Sequence, residues 1–186
     1  MTGFGQSVEP QRIFLTGEPG CGKTTVIRRT VDKLALLGLK VGGMLSGEVR
    51  EGDMRVGFSV QDIITTERGV LADVGRSTGP HVGKYTVNLH DLEKIGAEAI
   101  QRAIRTADVV IVDELGPMEL HSPRFIESVR SALSSQKHVL GTIHKRANHP
   151  FIVEVKSNPQ FAILEVTAQS RGNLPSTIVQ SIIGAK

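Results

Sequence analysis

Gly17-Glu18-Pro19-Gly20-Cys21-Gly22-Lys23-Thr24 fits the pattern G-x-x-x-x-G-K-[ST] at each of its fixed positions. Glycines let such a loop wrap closely, so that backbone N–H groups converge on phosphate oxygens. The segment before it, Ile13–Phe14–Leu15, is a short apolar run that reads as a buried strand. After it, Val26, Ile27, Val31, Leu34 and Leu37 recur at helical spacing over Thr24–Leu37, and Gly38 supplies a stop. Strand, glycine-rich loop and helix N-terminus in succession make a phosphate cradle, with the positive end of the helix dipole facing the anion. The nucleotide-binding set read from this stretch is Gly17, Glu18, Pro19, Gly20, Cys21, Gly22, Lys23, Thr24 and Thr25. Lys23 suits the β- and γ-phosphates and a catalytic role, the Thr24 hydroxyl suits magnesium, and Thr25 the α-phosphate. Cys21 reads as a small residue filling a tight loop; a redox role is the alternative, because a helix N-terminus lowers a thiol pKa.

Further along, Val109–Val110–Ile111–Val112 is a run of four β-branched residues, the pattern of a strand buried on both faces of a sheet. It ends in Asp113–Glu114. An aspartate there is expected to be the second magnesium anchor, and Glu114 to orient or deprotonate an attacking water. Taken alone, the pair would more simply end a strand and cap a turn; behind a complete phosphate loop the catalytic reading is preferred. Gly116–Leu120 reads as a tight turn, with Glu119 either a site carboxylate or a cap for the next helix.

The remaining segments alternate. Strands are expected at Val41–Leu45, Lys84–Val87, His138–Thr142 and Phe161–Val166, and helices at Leu89–Thr106, Ser122–Ser134, Phe151–Ser157 and Leu174–Ile183. Between Glu48 and Val74 two turn signals, at Arg50–Asp53 and Thr65–Gly69, separate β-prone pieces and imply antiparallel hairpins. The fold class is therefore α/β: a three-layer sandwich with a mainly parallel sheet and an inserted hairpin region, in one domain spanning residues 1–186. Glu48, Arg50 and Arg55 of the hairpins either complete the site or keep the surface soluble. Arg50, Arg55, Arg124 and Arg171 are all eligible as an arginine finger. Thr142 and His144 follow an apolar strand and can serve as a polar sensor of phosphate, or His144 as solvated loop.

Composition narrows the classes. At 186 residues, 39% hydrophobic and 22% charged, the chain suits one ordinary globular domain. No apolar run reaches the roughly 20 residues of a membrane helix, and Met1–Gln11 lacks the pattern of a signal peptide. The expected place is the cytoplasm, away from any membrane. A single cysteine leaves no internal disulfide framework. The net charge of +3 tolerates polyanions without arguing for them. Nucleic acid as a partner is neither supported, since no basic run interleaves with aromatics, nor barred.

Several motifs carry a resemblance. Asp113-Glu114-Leu115-Gly116-Pro117-Met118-Glu119-Leu120 resembles the D-E-[IL]-G-x-M-E-L signature of the THEP1 family of nucleoside-triphosphatases. Gly47–Phe58 is similar to that family's E-V-R-E-G-x-x-R-x-G-F, Gly83-Lys84-Tyr85 to its G-[KR]-Y, and Ser122–Phe125 to its S-x-x-F. The resemblance implies a parallel-cored α/β sandwich and slow, magnesium-dependent hydrolysis of ATP, GTP, CTP and UTP with little base selectivity. It supports Lys23, Thr24, Asp113 and Glu114 in the roles given above. Near the C-terminus the family tends to show T-x-x-N-R-[DN], whereas Thr167-Ala168-Gln169-Ser170-Arg171-Gly172 keeps only the threonine and the arginine. Arg171 remains a candidate for base stacking or phosphate pairing. The competing reading is a kinase that passes the γ-phosphate to an unidentified acceptor, with the hairpins forming its pocket. A nucleotide-operated switch is the third.

Overall fold

The apolar run before the loop becomes β1 (Arg12–Thr16), with Ile13, Phe14 and Leu15 buried. The computed structural model describes residues 9–184; most of Met1–Gln11, the stretch read for a signal peptide, lies outside them. The loop opens α1 (Lys23–Leu36), which buries Val26, Ile27, Thr30 and Leu34 along one stripe. Strands β2 (Val41–Glu51), β3 (Met54–Asp62), β4 (Arg68–Asp73), β5 (His81–Val82) and β6 (Tyr85–Val87) follow. Next come α2 (Leu89–Asp91), a π turn (Leu92–Ala97), α3 (Glu98–Thr106) and β7 (Val109–Leu115). A 3₁₀ turn (Glu119–His121), α4 (Pro123–Ser134), β8 (His138–Ile143), α5 (Pro150–Ser157), β9 (Ala162–Glu165) and α6 (Leu174–Ile183) complete the described chain.

All nine strands form one sheet in the order β5-β6-β4-β3-β2-β7-β8-β1-β9. The expectation of a mainly parallel sheet needs correction. The pairs β2–β7, β7–β8, β8–β1 and β1–β9 are parallel, but β2–β3, β3–β4, β4–β6 and β5–β6 are antiparallel. The sheet is mixed. Nor do the hairpins stand apart as an insertion. β2 runs well beyond the expected Leu45: Val41–Leu45 pairs with β7, and Met44–Glu51 pairs with β3. One long strand thus carries the hydrogen-bond ladder from the parallel half into the antiparallel half.

The layering is as expected. On one face α1 and α6 pack Val26, Ile27, Leu34, Ile178, Val179 and Ile182 against Ile13, Leu15, Val109, Ile111 and Leu140. On the other, α3, α4 and α5 bury Ile100, Phe125, Val129, Phe151 and Ile152 against Phe14, Val110, Val112 and Val139. Residues of β1 and β7 alternate between the clusters, the mark of central strands covered on both sides. The helix expected over Leu89–Thr106 is interrupted by the π turn. There Gly96 lies against β2 and β3: a Cβ on it would stand 3.2 Å from Met44 Sδ and 3.3 Å from a Val60 methyl. No helix among the described residues is long and apolar enough to cross a membrane.

Candidate active site

Two glycines shape the loop between β1 and α1. Gly17 has φ +149°, and a Cβ there would meet Cys21 Sγ and the Val166 carbonyl oxygen, each at 2.8 Å. Gly22 is the N-cap of α1 in the left-handed region at φ +104°, a conformation that glycine adopts without strain. No side chain caps this helix and no acidic residue occupies its first turn. Its leading N–H groups and dipole end are therefore left to an external anion. Lys23 Nζ donates to the Gly17 carbonyl at 3.3 Å, which folds its tip back over the loop. Cys21 packs against the α1–α6 apolar cluster, as a small filler would.

The second half of the site is the end of β7. Asp113, Glu114 and Leu115 continue the strand past the expected Val112, and the register against β8 shifts between Val112 and Leu115. Asp113 is 1% exposed. The Thr142 hydroxyl, from β8, donates to its Oδ1 at 2.8 Å, while its Oδ2 has no partner. Burial pushes the Asp113 pKa up; the hydroxyls of Thr142 and Thr24, with Arg28 and Lys23, oppose the rise. Glu114 is raised to about 7, chiefly by burial and secondarily by Asp113, against the pull of Lys23. Glu119, 4% exposed in the turn beyond, is raised to about 8 by burial and then by Glu114. Three carboxylates and two cations thus share a poorly hydrated spot, and each carboxylate is reluctant to ionise.

These groups border one cavity of about 920 Å³. Gly17, Glu18, Pro19, Gly20, Gly22, Lys23, Thr24 and Thr25 line it from the loop and the start of α1, with Glu114 from the end of β7, Glu119 from the 3₁₀ turn beyond it and His144 from just after β8. Burial, Lys23 and Lys156 hold the His144 imidazole below its usual pKa. Asp113 lies behind this lining. Arg171 is not part of this lining but lies just beyond Gly22 at its edge: a Cβ on Gly22 would be 3.8 Å from the Arg171 Cδ. Thr142 turns to Asp113 instead of facing the cavity as a sensor. Of the other eligible arginines, Arg50 is tied at the hairpin tip to Glu48 and the Asp53 carbonyl, and Arg124 is paired with Glu98 on α3. Arg55 lines the cavity from β3. Sequence reasoning missed Arg28, four residues after Thr24 and so on the same helix face, a spacing that would have revealed it. It also missed Lys145 and Arg146. Both pair with Glu18 at 3.1 Å, and Lys145 also with Glu165 at 2.9 Å, tying the phosphate loop to the segment after β8. No local pattern announces that contact.

A family profile described as "NTPase" matches residues 12–179. A nucleoside-triphosphatase THEP1 of Thermofilum pendens is 46% identical over 173 residues, covering 92% of this chain and 95% of its own. The chain belongs to the THEP1 family of nucleoside-triphosphatases. Solved structures agree with that membership. Crystalline THEP1 from Aquifex aeolicus superposes with a TM-score of 0.82 at 30% identity, over 92% of this chain and 99% of the other. A human cancer-related nucleoside triphosphatase gives 0.79 at 33%, over 95% and 99%. THEP1 relatives bear the name of a hydrolase, which favours water over a metabolite as the phosphate acceptor and does not favour the kinase alternative.

Proposed function

We propose that this chain, as a single P-loop domain, hydrolyses ATP, GTP, CTP and UTP to the nucleoside diphosphates and phosphate, with magnesium, little base selectivity and the cytoplasm as its compartment. The observation that carries the reading is that an uncapped helix N-terminus, Lys23 and half-buried Glu114 border one cavity, with buried Asp113 directly behind its wall. Fit to magnesium is supported by Asp113 Oδ2, a buried carboxylate oxygen without a partner, close to the Thr24 hydroxyl. Such an atom costs free energy unless a cation or donor meets it. Among the described residues no group of three or more His, Cys, Asp or Glu can hold a metal by itself. Thr24 and Asp113 would therefore share the ion with phosphate oxygens and water. Bound there, magnesium neutralises charge on the β- and γ-phosphates.

The chain's own residues supply the rest. Backbone N–H groups of Gly20 to Thr24 cradle the phosphates, Lys23 compensates the β,γ-bridge, and Thr25 meets the α-phosphate. Arg171 stacks on the base or pairs with a phosphate at the rim. Glu114 accepts a proton from water as its oxygen bonds to the γ-phosphorus and the bond to the β-phosphate oxygen breaks. Burial raises both Glu114 and Glu119, so near neutrality the pair retains a proton between them, and Glu114 acts as base in its ionised form.

The deciding experiment measures phosphate release from the four triphosphates with magnesium and with excess EDTA. Phosphate should appear in proportion to diphosphate, and EDTA should abolish it. Lys23→Ala should lower kcat/KM at least about a hundredfold, because the charge on the transferred group loses its compensation. A folded Lys23→Ala chain with wild-type efficiency would end the assignment.

A further inference from the structure

The cavity extends well past what the phosphate loop needs. Its far end is built on β3, β4 and the β5–β6 turn, where Arg55, Phe58, Leu71, Val82 and Tyr85 line it, with Met118 between. β3 runs antiparallel to β2, which brings Arg55 to the same end of the sheet as the C-termini of β2 and β7. From β1 to β3 is four steps across the sheet, roughly 19 Å at about 4.8 Å per strand. Asp113 and Glu114, on β7, stand between. The far end therefore lies on the γ-phosphate side of the carboxylates, opposite the rim held by Arg171.

Its chemistry is specific. The Arg55 guanidinium lies 5.0 Å from the Phe58 ring centre and 5.8 Å from that of Tyr85. Its Nε donates to the Tyr85 hydroxyl at 3.0 Å and its Nη1 to Glu48 at 2.6 Å. Among the described residues Nη2 has no hydrogen-bond partner. Lys84 Nζ sits 5.4 Å from the Tyr85 ring centre, and Arg50 and Arg55 share the one carboxylate of Glu48. Phe58 and Tyr85 meet edge to face at 5.1 Å, with Leu71 1% exposed nearby. A guanidinium held over two aromatic rings and fixed by hydrogen bonds at Nε and Nη1 offers a planar surface and a spare donor with little entropy left to lose.

We infer that this end of the cavity is a second ligand subsite, distinct from the phosphate loop, for a planar heteroaromatic ring bearing an anionic group: the chemistry of a nucleoside monophosphate. The ring lies against Arg55 and the Phe58–Tyr85 pair, and the anion meets Arg55 Nη2 and Lys84. The inference rests on the triphosphatase reading only in taking the phosphate loop as the place of the triphosphate. Because the occupant borders the Glu114 side of the cavity, its binding alters the rate of hydrolysis.

The test titrates the full chain, preloaded with magnesium and a non-hydrolysable ATP analogue, with AMP, GMP, CMP and UMP in turn by calorimetry. At least one should bind at one site per chain and change phosphate release from ATP threefold or more. Arg55→Met should weaken that binding at least tenfold, while affinity for the analogue moves less than threefold. Tyr85→Phe, which keeps the ring and drops only the hydroxyl that orients Arg55, should weaken it by less. The subsite is refuted if none of the four binds, if binding requires displacement of the analogue, or if Arg55→Met binds as the wild type does. Failure of the analogue itself to bind would strike the triphosphatase reading instead; titration of the analogue-free chain and of Arg55→Met would still decide the subsite.

Discussion

Glu114 and Glu119 occupy the same buried corner yet have different expected consequences when neutralised. Glu114→Gln keeps the shape of the side chain and loses the ability to take a proton. General-base contributions are typically ~10²–10⁴-fold, so kcat should fall in that range in single-turnover assays while ATP affinity changes only modestly. Equal losses in both would make Glu114 a structural residue. Glu119 is best tested through stability. Its carboxyl is ordinarily half-ionised near 4.5 and here near 8, so the native state retains a proton that the unfolded chain releases. The contribution is complete below about pH 4.5 and is lost as pH rises through about 8. Across that window stability should decline by about 1.4 kcal/mol per pH unit from this group. Urea unfolding of metal-free Glu119→Gln between pH 5.5 and 7.5 should show a slope shallower by about that amount. An unchanged slope would mean another group titrates.

At the scale of elements, what was legible was what is local. The phosphate loop, its helix and the β7 run are each specified within about ten neighbouring residues, and they are where the spacing predicts them. The last helix matches at both ends, Leu174–Ile183. What was not legible depends on partners distant in sequence. The hairpin turn at Arg50–Asp53 was legible, but nothing near Ser46–Gly47 says that the strand begun at Val41 runs unbroken into it, because Gly47 and the charged residues after it dilute the alternation. Neither does any periodicity mark the π turn, where Gly96 lies close against side chains of β2 and β3, distant in sequence. Ser122 joins two such elements. Its hydroxyl oxygen accepts from the Phe125 N–H at 3.1 Å, capping α4, and it donates to Glu93 of the π turn at 2.7 Å. Ser122→Ala should cost about 1 kcal/mol for the cap and somewhat more for the orphaned carboxylate. Denaturant unfolding should register that loss, with kcat of the folded enzyme unchanged within twofold. A cost below a few tenths of a kcal/mol would show the cap to be dispensable.

For the molecule as a whole, the contacts proposed for the loop address phosphate, and Arg171 is the one residue proposed to meet a base. The four triphosphates should therefore differ by less than about a hundredfold in kcat/KM, equivalent to about 2.7 kcal/mol. A larger spread would require a base pocket elsewhere. The strand that crosses from the parallel to the antiparallel half adds a mechanical condition. Leu45 pairs with Asp113 of β7 on one side and with Gln61 of β3 on the other. One continuous strand joins the wall that carries Arg55 to the strand that carries the acidic pair. Swinging the hairpins shut like the jaw of a two-domain clamp would break backbone hydrogen bonds along that strand. Any adjustment to a substrate costs less at the unpaired turns of the rim, so the mouth of the cavity, not its span, is where it is expected.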